Sequence, residues 1–185
     1  MRIIGGQHRG TQLADVGKGD EAAHLRPTSD RVRESLFNIL MGGRFGDVIR
    51  DARVLDLFAG TGALGLEALS RGAAHATFVE NGRVGQRLLN QNIAKLRREG
   101  DCEVLFVDAT FLPKTPAPAD LIFMDPPYGK GLGLKALQAA KASGWVQSGT
   151  VIVWEEASLQ LAPPGIQVLD QRRYGDTWIT IIEAG

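Results

Sequence analysis

The chain has 185 residues, of which 44% are apolar and 23% charged, the balance of an ordinary soluble globular protein. Because 21 Lys and Arg residues match 21 Asp and Glu residues, the net charge is zero, and any nucleic-acid contact must rest on a local patch. A single cysteine excludes an internal disulfide framework, and no apolar run approaches the ~18 residues of a membrane span, so we expect one cytoplasmic domain over residues 1–185.

Residues 1–25 predict an N-terminal β-hairpin extension of this domain. Two strand-like pieces, Arg2-Ile3-Ile4 and Thr11-Gln12-Leu13, flank a glycine-rich basic link that can form the turn. The polar, glycine-containing stretch 15–24 then predicts a loop between the hairpin and the first helix.

A helix is expected to begin after Pro27, with Ser29 or Asp30 as its N-cap. Its apolar residues recur at helical spacing, which predicts one buried face made of Val32, Leu36, Ile39 and Leu40. Arg31 and Arg33 fall on other faces of this helix in the same pattern, so we expect both to meet solvent.

From Arg53 onward, strand-like and helix-like segments alternate, which predicts an open, mostly parallel sheet with helices on both faces. The last two strand-like segments flank Tyr174-Gly175-Asp176 and predict a closing antiparallel hairpin. The predicted strands are 54–58, 76–80, 103–107, 121–124, 150–154, 166–173 and 177–182, and the predicted helices are 63–70, 83–99 and 132–143.

A glycine-rich turn follows the first of these strands, in the segment Asp56–Gly65. Gly60 and Gly62 allow the backbone to turn sharply and to approach a ligand at the start of a helix. The same pattern fits a nicotinamide or flavin enzyme, so alone it does not decide the class. Asp56 stands inside an otherwise apolar strand, where it needs either a ligand ammonium group or backbone amides as partners.

Two further acids occupy strand ends that face the ligand crevice in nucleotide-binding folds. Glu80 comes 20 residues after Gly60, the position at which such folds place an acid on a ribose diol. Asp108 ends the third strand and can accept from an adenine amino group, with Ala109 beside the ring, although an N-cap or turn role fits Asp108 nearly as well.

The segment Asp125-Pro126-Pro127-Tyr128 follows a buried strand and favours amine methylation. Prolines stiffen the loop and leave free carbonyl acceptors. An exocyclic amine of a nucleobase is a poor nucleophile because its lone pair is delocalised. Asp125 and the Pro126 carbonyl can accept its two N–H bonds and direct the lone pair toward a methyl donor, while Tyr128 stacks on the base.

These segments resemble the RsmD family of bacterial 16S ribosomal RNA guanine-N2 methyltransferases over nearly the whole chain. The specific part is Arg26–Asn38, since the glycine turn and the corner at Asp125 are shared by many amino-methyltransferases. The similarity also includes Arg2–Gly6 with Arg9-Gly10, and Tyr174–Thr177. Residues 14–24 depart from the family pattern, because this stretch is long and acidic.

The resemblance implies a class I methyltransferase fold, S-adenosylmethionine as cofactor, and a guanine in 16S ribosomal RNA presented on an assembled or partly assembled small subunit. We expect a monomer that uses no metal. The cofactor site is expected to comprise Asp56, Phe58, Gly60, Gly62, Glu80, Asn81, Asp108 and Ala109; the catalytic residues are Asp125, Pro126 and Tyr128; and the RNA contacts are Arg2, His8, Arg9, Arg31 and Arg33.

Three other functions remain compatible with the sequence. A methyltransferase for adenine N6 or another amide-like nitrogen shares the corner at Asp125. A dinucleotide-dependent oxidoreductase explains the glycine turn but leaves Asp125–Tyr128 without a role. A non-catalytic RNA-binding or assembly module with a vestigial pocket is the third.

Overall fold

A computed structural model describes residues 1–16 and 28–185 of the chain. Most of the loop predicted over 15–24, together with Arg26 and Pro27 of the family-specific segment, therefore lies outside the described residues. The helices are α1 (Asp30–Gly42), α2 (Ala63–Ser70), α3 (Arg83–Leu96) and α4 (Leu132–Ala142), and the strands are β1 (Arg53–Leu57), β2 (His75–Val79), β3 (Cys102–Leu105), β4 (Ala119–Met124), β5 (Val146–Glu156), β6 (Ile166–Tyr174) and β7 (Thr177–Ala184).

The seven strands form one sheet in the order β3-β2-β1-β4-β5-β7-β6. Strands β1 to β5 pair in parallel, and β7 runs antiparallel between β5 and β6. This confirms the predicted α/β fold with its C-terminal antiparallel hairpin. The β7 insertion also differs from the usual dinucleotide-binding order 3-2-1-4-5-6, which weakens the oxidoreductase alternative.

Two apolar clusters cover the two faces of the sheet. One packs α1, α2 and α3 with the N-terminal hairpin against residues such as Val54 and Phe123. The other packs α4 against residues such as Leu55 and Ile122. Neighbouring strand residues thus face opposite layers, as a sheet buried on both sides requires. The carboxyl ends of β1, β2, β4 and β5 remain free to carry a site at one edge.

The N-terminal hairpin is present but short. Arg2 and Gln12 form a single antiparallel bridge, with backbone bonds from Ile3 N to Thr11 O (2.9 Å) and from Gly10 N to Ile3 O (2.8 Å). Buried Glu67 of α2 holds this hairpin, since its carboxylate accepts from the backbone N–H groups of Ile4 and Gly5, each at 2.9 Å.

Helix α1 begins as predicted, with the Ser29 hydroxyl accepting from Val32 N at 3.3 Å. Its fully buried face is rotated from the predicted one and consists of Arg33, Leu36, Phe37 and Leu40, while Val32 and Ile39 are half-buried. The prediction that Arg33 meets solvent is therefore wrong.

Most element bounds differ from prediction by a few residues. Helix α3 ends at Leu96 instead of residue 99, because Arg97 adopts a left-handed conformation (φ 54°) and closes the helix. Strand β5 begins at Val146 instead of residue 150, since its pairing with β4 shifts register near Ala119 and extends the strand. The longest described helix has 14 residues, so no helix in the described ranges is long enough to cross a membrane.

Candidate active site

The glycine turn after β1 is held by Asp56 and by two glycines with different tasks. Asp56 is 2% exposed, and its carboxylate accepts from Gly65 N at 2.9 Å. A β-carbon at Gly65 would lie 2.4 Å from the Phe78 ring, so only glycine lets the start of α2 approach the sheet. Gly62 has φ 82° and packs against Leu89, which makes it a turning and packing residue at the N-terminus of α2.

Phe58, the first residue after β1, adopts an unusual left-handed conformation with φ 60°. This conformation costs a bulky residue about 1–3 kcal/mol and is concentrated at functional sites. The half-buried Phe58 lines two adjoining cavities at the carboxyl edge of the sheet, which also share Asp125. The strained residue therefore separates the two halves of one crevice.

The larger half of the crevice, with a volume of about 420 Å³, brings together the predicted nucleoside-binding residues. This volume lies within the range of small-molecule sites. Glu80, Asn81, Asp108 and Ala109 all line it, although they come from separate loops after β2 and β3. We call this half the adenosine-side cavity.

Backbone amides already hold Glu80 in place. Its two carboxylate oxygens accept from Gly60 N at 2.6 Å and from Gly82 N at 2.8 Å, so Glu80 ties the glycine turn to the loop after β2. Asp108 is exposed and accepts from the backbone N–H (2.8 Å) and the hydroxyl (2.6 Å) of Thr110. These bonds lower the pKa of Asp108. Asp108 therefore also stabilises the turn after β3, the alternative role that its position at a strand end predicts.

The smaller half of the crevice lies between the glycine turn and the corner after β4. Asp56, Phe58 and Gly60 line it from one side and Asp125 from another, and Met1, Asp15 and Thr28 also border it. Asp125 borders both halves. We call this half the transfer-side cavity.

Burial strongly raises the pKa values of the acids on the transfer side. Burial raises the pKa of Asp56 to about 8, although the bond from Gly65 opposes this, and negative Glu80 and Glu155 add to the rise. Asp125 is partly open to the crevice, but the protein around its carboxyl group and the neighbouring acids Glu155 and Asp56 raise its pKa well above the usual range. Closely spaced buried acids resist joint ionisation, so these acids favour a cation or several hydrogen-bond donors, and Arg33, which also lines this cavity, is one source of positive charge.

The remainder of the Asp125 corner forms the loop that follows β4. Pro126 is buried, and Tyr128 is half-buried with its hydroxyl 3.1 Å from Thr177 Oγ1. Burial raises the pKa of Tyr128 to about 12, so it remains neutral. The next residue, Gly129, donates its N–H to Glu156 Oε1 at 3.1 Å, which anchors the loop to the end of β5.

Sequence reasoning missed two acids at the end of β5. Glu155 and Glu156 are 2% and 6% exposed, and Glu155 forms a hydrogen bond with Asp125 and accepts from Thr28 Oγ1 at 3.2 Å. Burial raises the pKa of Glu155 to about 7. The detectable signal was a pair of acids directly after the apolar run Val151–Trp154, at the edge that carries the other site residues.

The five predicted RNA contacts are not equivalent. Arg9 and Arg31 are exposed, and Arg2 is exposed but bonded to Asp30 at 3.1 Å. His8 is half-buried, and burial together with nearby Arg98 lowers its pKa, which disfavours a charged imidazole. The structure contradicts an RNA contact by Arg33.

Arg33 is fully buried, so its guanidinium is not presented to an RNA backbone on the outer surface, although the residue lines the transfer-side cavity. It donates to the backbone O of Arg2 and to Asp30 Oδ1, both at 2.7 Å, and lies 4.0 Å from Glu67. Its positive charge interacts with groups inside the protein, where the hairpin, α1 and α2 meet.

Comparison with known proteins identifies relatives of nearly the whole chain. The family model described as conserved hypothetical protein 95 matches residues 1–183. Ribosomal RNA small subunit methyltransferase D of Escherichia coli K12 is 43% identical over 156 residues, which cover 84% of this chain and 74% of that protein. The enzyme of the same name from Haemophilus influenzae is 35% identical over 159 residues, covering 84% and 78%.

A solved structure extends this likeness to three dimensions. The protein yhhF of Escherichia coli has a TM-score of 0.84 and 37% identity, and the match covers 100% of this chain and 97% of that one. The clustered acids and the stiff proline corner thus occur on a chain whose sequence and fold both match one set of relatives. The chain belongs to the RsmD methyltransferase family.

Proposed function

We propose that the protein transfers a methyl group from S-adenosylmethionine to the exocyclic N2 of a guanine in 16S ribosomal RNA. The observation that carries the proposal is the shared crevice: Asp56 and Asp125 line one cavity, with Phe58 between it and the adenosine side. The relatives are named for ribosomal RNA of the small subunit, which supports the RNA target. We expect a cytoplasmic monomer that acts on an assembled or partly assembled small subunit.

The residues present fit S-adenosylmethionine in shape and charge. Glu80 and Asp108 line the adenosine-side cavity and suit ribose hydroxyl and adenine amino groups. Burial raises the pKa values of Asp56 and neighbouring Asp125, so a cofactor that brings positive charge to the transfer side would favour the ionised form of these acids and pair with it. The cofactor supplies an electrophilic methyl group on a sulfonium sulfur.

The protein's own task is to prepare the nucleophile. Asp125 and the Pro126 carbonyl accept the two N–H bonds of the guanine amine, so its lone pair points along the line of displacement. On taking up the methyl group the amine would acquire a positive charge and release one proton, which Asp125 would accept in its ionised form. Tyr128 stacks on the base, which must first leave its helix to reach this depth. Most of the acceleration comes from positioning.

Mass mapping of methylated nucleotides tests this proposal. Small subunits that lack the modification are treated with the protein and isotope-labelled cofactor, with free 16S RNA and DNA in parallel reactions. We expect label on the N2 of one guanine in the subunit. Label on adenine N6, or on DNA only, would support the adenine-directed alternative; binding without turnover would support the assembly-module alternative.

A further inference from the structure

A third cavity adjoins the Asp125 corner and shares Thr28 with the transfer-side cavity. Its volume is about 230 Å³, and its wall is formed by the loop after β4, the end of β5, the turn between β6 and β7, and the start of α1 with the residues before it. Tyr128, the proposed stacking residue, forms part of its wall, and Glu155 forms another part. Its lining comprises Thr28, Ser29, Val32, Tyr128, Glu155, Tyr174 and Thr177.

Glu155 joins this cavity to the proposed reaction centre. Its side chain forms a hydrogen bond with Asp125 and accepts from the Thr28 hydroxyl at 3.2 Å. With only 2% of the residue exposed, Glu155 is costly to bury unless its oxygens find donors. Two carboxyl groups therefore lie side by side next to the surface on which a base would stack.

The hydrogen-bonding edge of guanine matches such a pair of acids. Guanine presents two adjacent donors, the N1–H and the 2-amine. Adenine and cytosine each present a ring nitrogen acceptor beside their amine. Enzymes that act on extruded bases read this edge by hydrogen bonds, and a carboxylate facing a ring nitrogen would place two acceptors against each other.

We propose that Glu155 is a specificity-determining residue that accepts the N1–H of the target guanine while Asp125 accepts from the 2-amine. This inference rests on the proposed function and deepens it, since it assigns the choice of base to a side chain outside the Asp125–Tyr128 motif. Thr28 orients the Glu155 carboxylate, so the start of α1 also helps to form the base site.

The N1–H can be removed from the substrate without removing the reacting amine. 2-Aminopurine retains the 2-amine, but its N1 is an acceptor and it lacks the 6-oxo group. Subunits reconstituted with 16S RNA that carries either guanine or 2-aminopurine at the methylated position are therefore the substrates. Single-turnover rates are measured for the wild type, Glu155→Gln and, as a matched neighbouring acid, Glu156→Gln.

We expect the wild type to prefer guanine by on the order of 100-fold or more, because 2-aminopurine leaves Glu155 unpaired. Glu155→Gln should slow guanine methylation roughly 10- to 100-fold. It should leave 2-aminopurine methylation unchanged or faster, because the new amide can donate to N1. Glu156→Gln should keep the wild-type ratio, since Glu156 binds the backbone N–H of Gly129.

Equal wild-type rates on the two substrates would overturn the inference and need no variant to detect. An equal loss on both substrates in Glu155→Gln, with S-adenosylhomocysteine still bound as in the wild type, would assign Glu155 a structural role and also overturn it. If the wild type leaves guanine subunits unmodified, the proposed function itself fails, which is a distinct result.

Discussion

The two halves of the crevice treat their acids in opposite ways. On the adenosine side, Glu80 and Asp108 accept from backbone or hydroxyl donors of their own loops. On the transfer side, Asp56, Asp125 and Glu155 are crowded, and burial raises their pKa values. The first pair is ready before a ligand arrives. Ionising the second set has an electrostatic cost that a cationic cofactor and a donor-rich base would offset. In the proposed function, the adenosine side therefore binds the cofactor, and the transfer side carries out the reaction.

Removal of the Asp125 carboxyl should have the largest effect on catalysis. Asp125→Ala leaves one amine N–H without its acceptor, and we expect the single-turnover rate to fall on the order of 100- to 1000-fold. Cofactor affinity, measured by calorimetry, should change far less because Glu80 and Asp108 remain. A variant with full methyl transfer at saturating substrate would contradict the proposed role of Asp125.

The pH dependence of stability should reveal the cost of burying Asp56. The unfolded chain ionises this acid near its ordinary pKa of 3.8, whereas the folded protein keeps it protonated up to about 8. Folding therefore loses stability as the pH rises between these values, by at most about 1.4 kcal/mol per pH unit for this group, and the loss is absent at lower pH. Glu155 adds to the loss up to about pH 7.

Urea unfolding between pH 5 and 8 provides the measurement for Asp56. Asp56→Asn should make the decline in the free energy of unfolding between pH 5 and 8 smaller by a few kcal/mol. The amide oxygen of the variant can still accept from Gly65 N. Saturating cofactor should flatten it in the wild type if its ammonium group pairs with Asp56. An identical decline in the wild type and the variant would show that Asp56 is already ionised in the folded protein.

Loss of the Glu80 carboxylate should weaken cofactor binding by about 1.5–3 kcal/mol, the value of hydrogen bonds to a charged group. Glu80→Gln keeps the side-chain shape but removes the charge together with one of the two oxygens that accept from Gly60 N and Gly82 N. Calorimetry with S-adenosylhomocysteine gives the affinity, and single-turnover rates at saturating cofactor should remain close to wild type. A large loss of rate at saturation would mean that the two halves of the crevice are not separable in function.

The smallest effect is expected at the hairpin turn, where Arg9 is exposed. If Arg9 contacts a phosphate, Arg9→Ala should reduce the slope of log affinity against log salt by about 1. Arg87→Ala, which removes an exposed arginine from α3, serves as the control and should leave the slope unchanged. An unaltered slope for Arg9→Ala would remove Arg9 from the proposed RNA surface.

Local sequence patterns were sufficient to predict most of the fold. Strand β1, the turn after it and α2 are short, apolar and closed by glycine, so their bounds follow from chain-local sterics and burial. The corner at Asp125 was predictable for the same reason, because proline stiffness and a strand end are both visible in sequence.

The partners of buried charged side chains could not be predicted from the sequence. Arg33 has the spacing of a solvent-facing residue, and only the folded chain brings Glu67 and the Arg2 carbonyl to it. Glu155 likewise has the pattern of a surface acid until β5 is placed beside β4 and Asp125. Both assignments depend on contacts between distant segments, which periodicity does not encode.

The attachment of the hairpin through Glu67 constrains how this enzyme can diversify. Deleting or exchanging residues 1–13 would strip a fully buried carboxylate of two amide donors and leave Arg33 without the Arg2 carbonyl. Glu67 would keep its ion pair with Arg71 at 2.9 Å, but a buried carboxylate that loses two hydrogen-bond donors destabilises the fold. The hairpin that would face RNA therefore cannot be exchanged independently of the rest of the domain. New substrate preferences would arise by substitutions at its exposed tip, whereas substitutions at its base would require matching changes in α2.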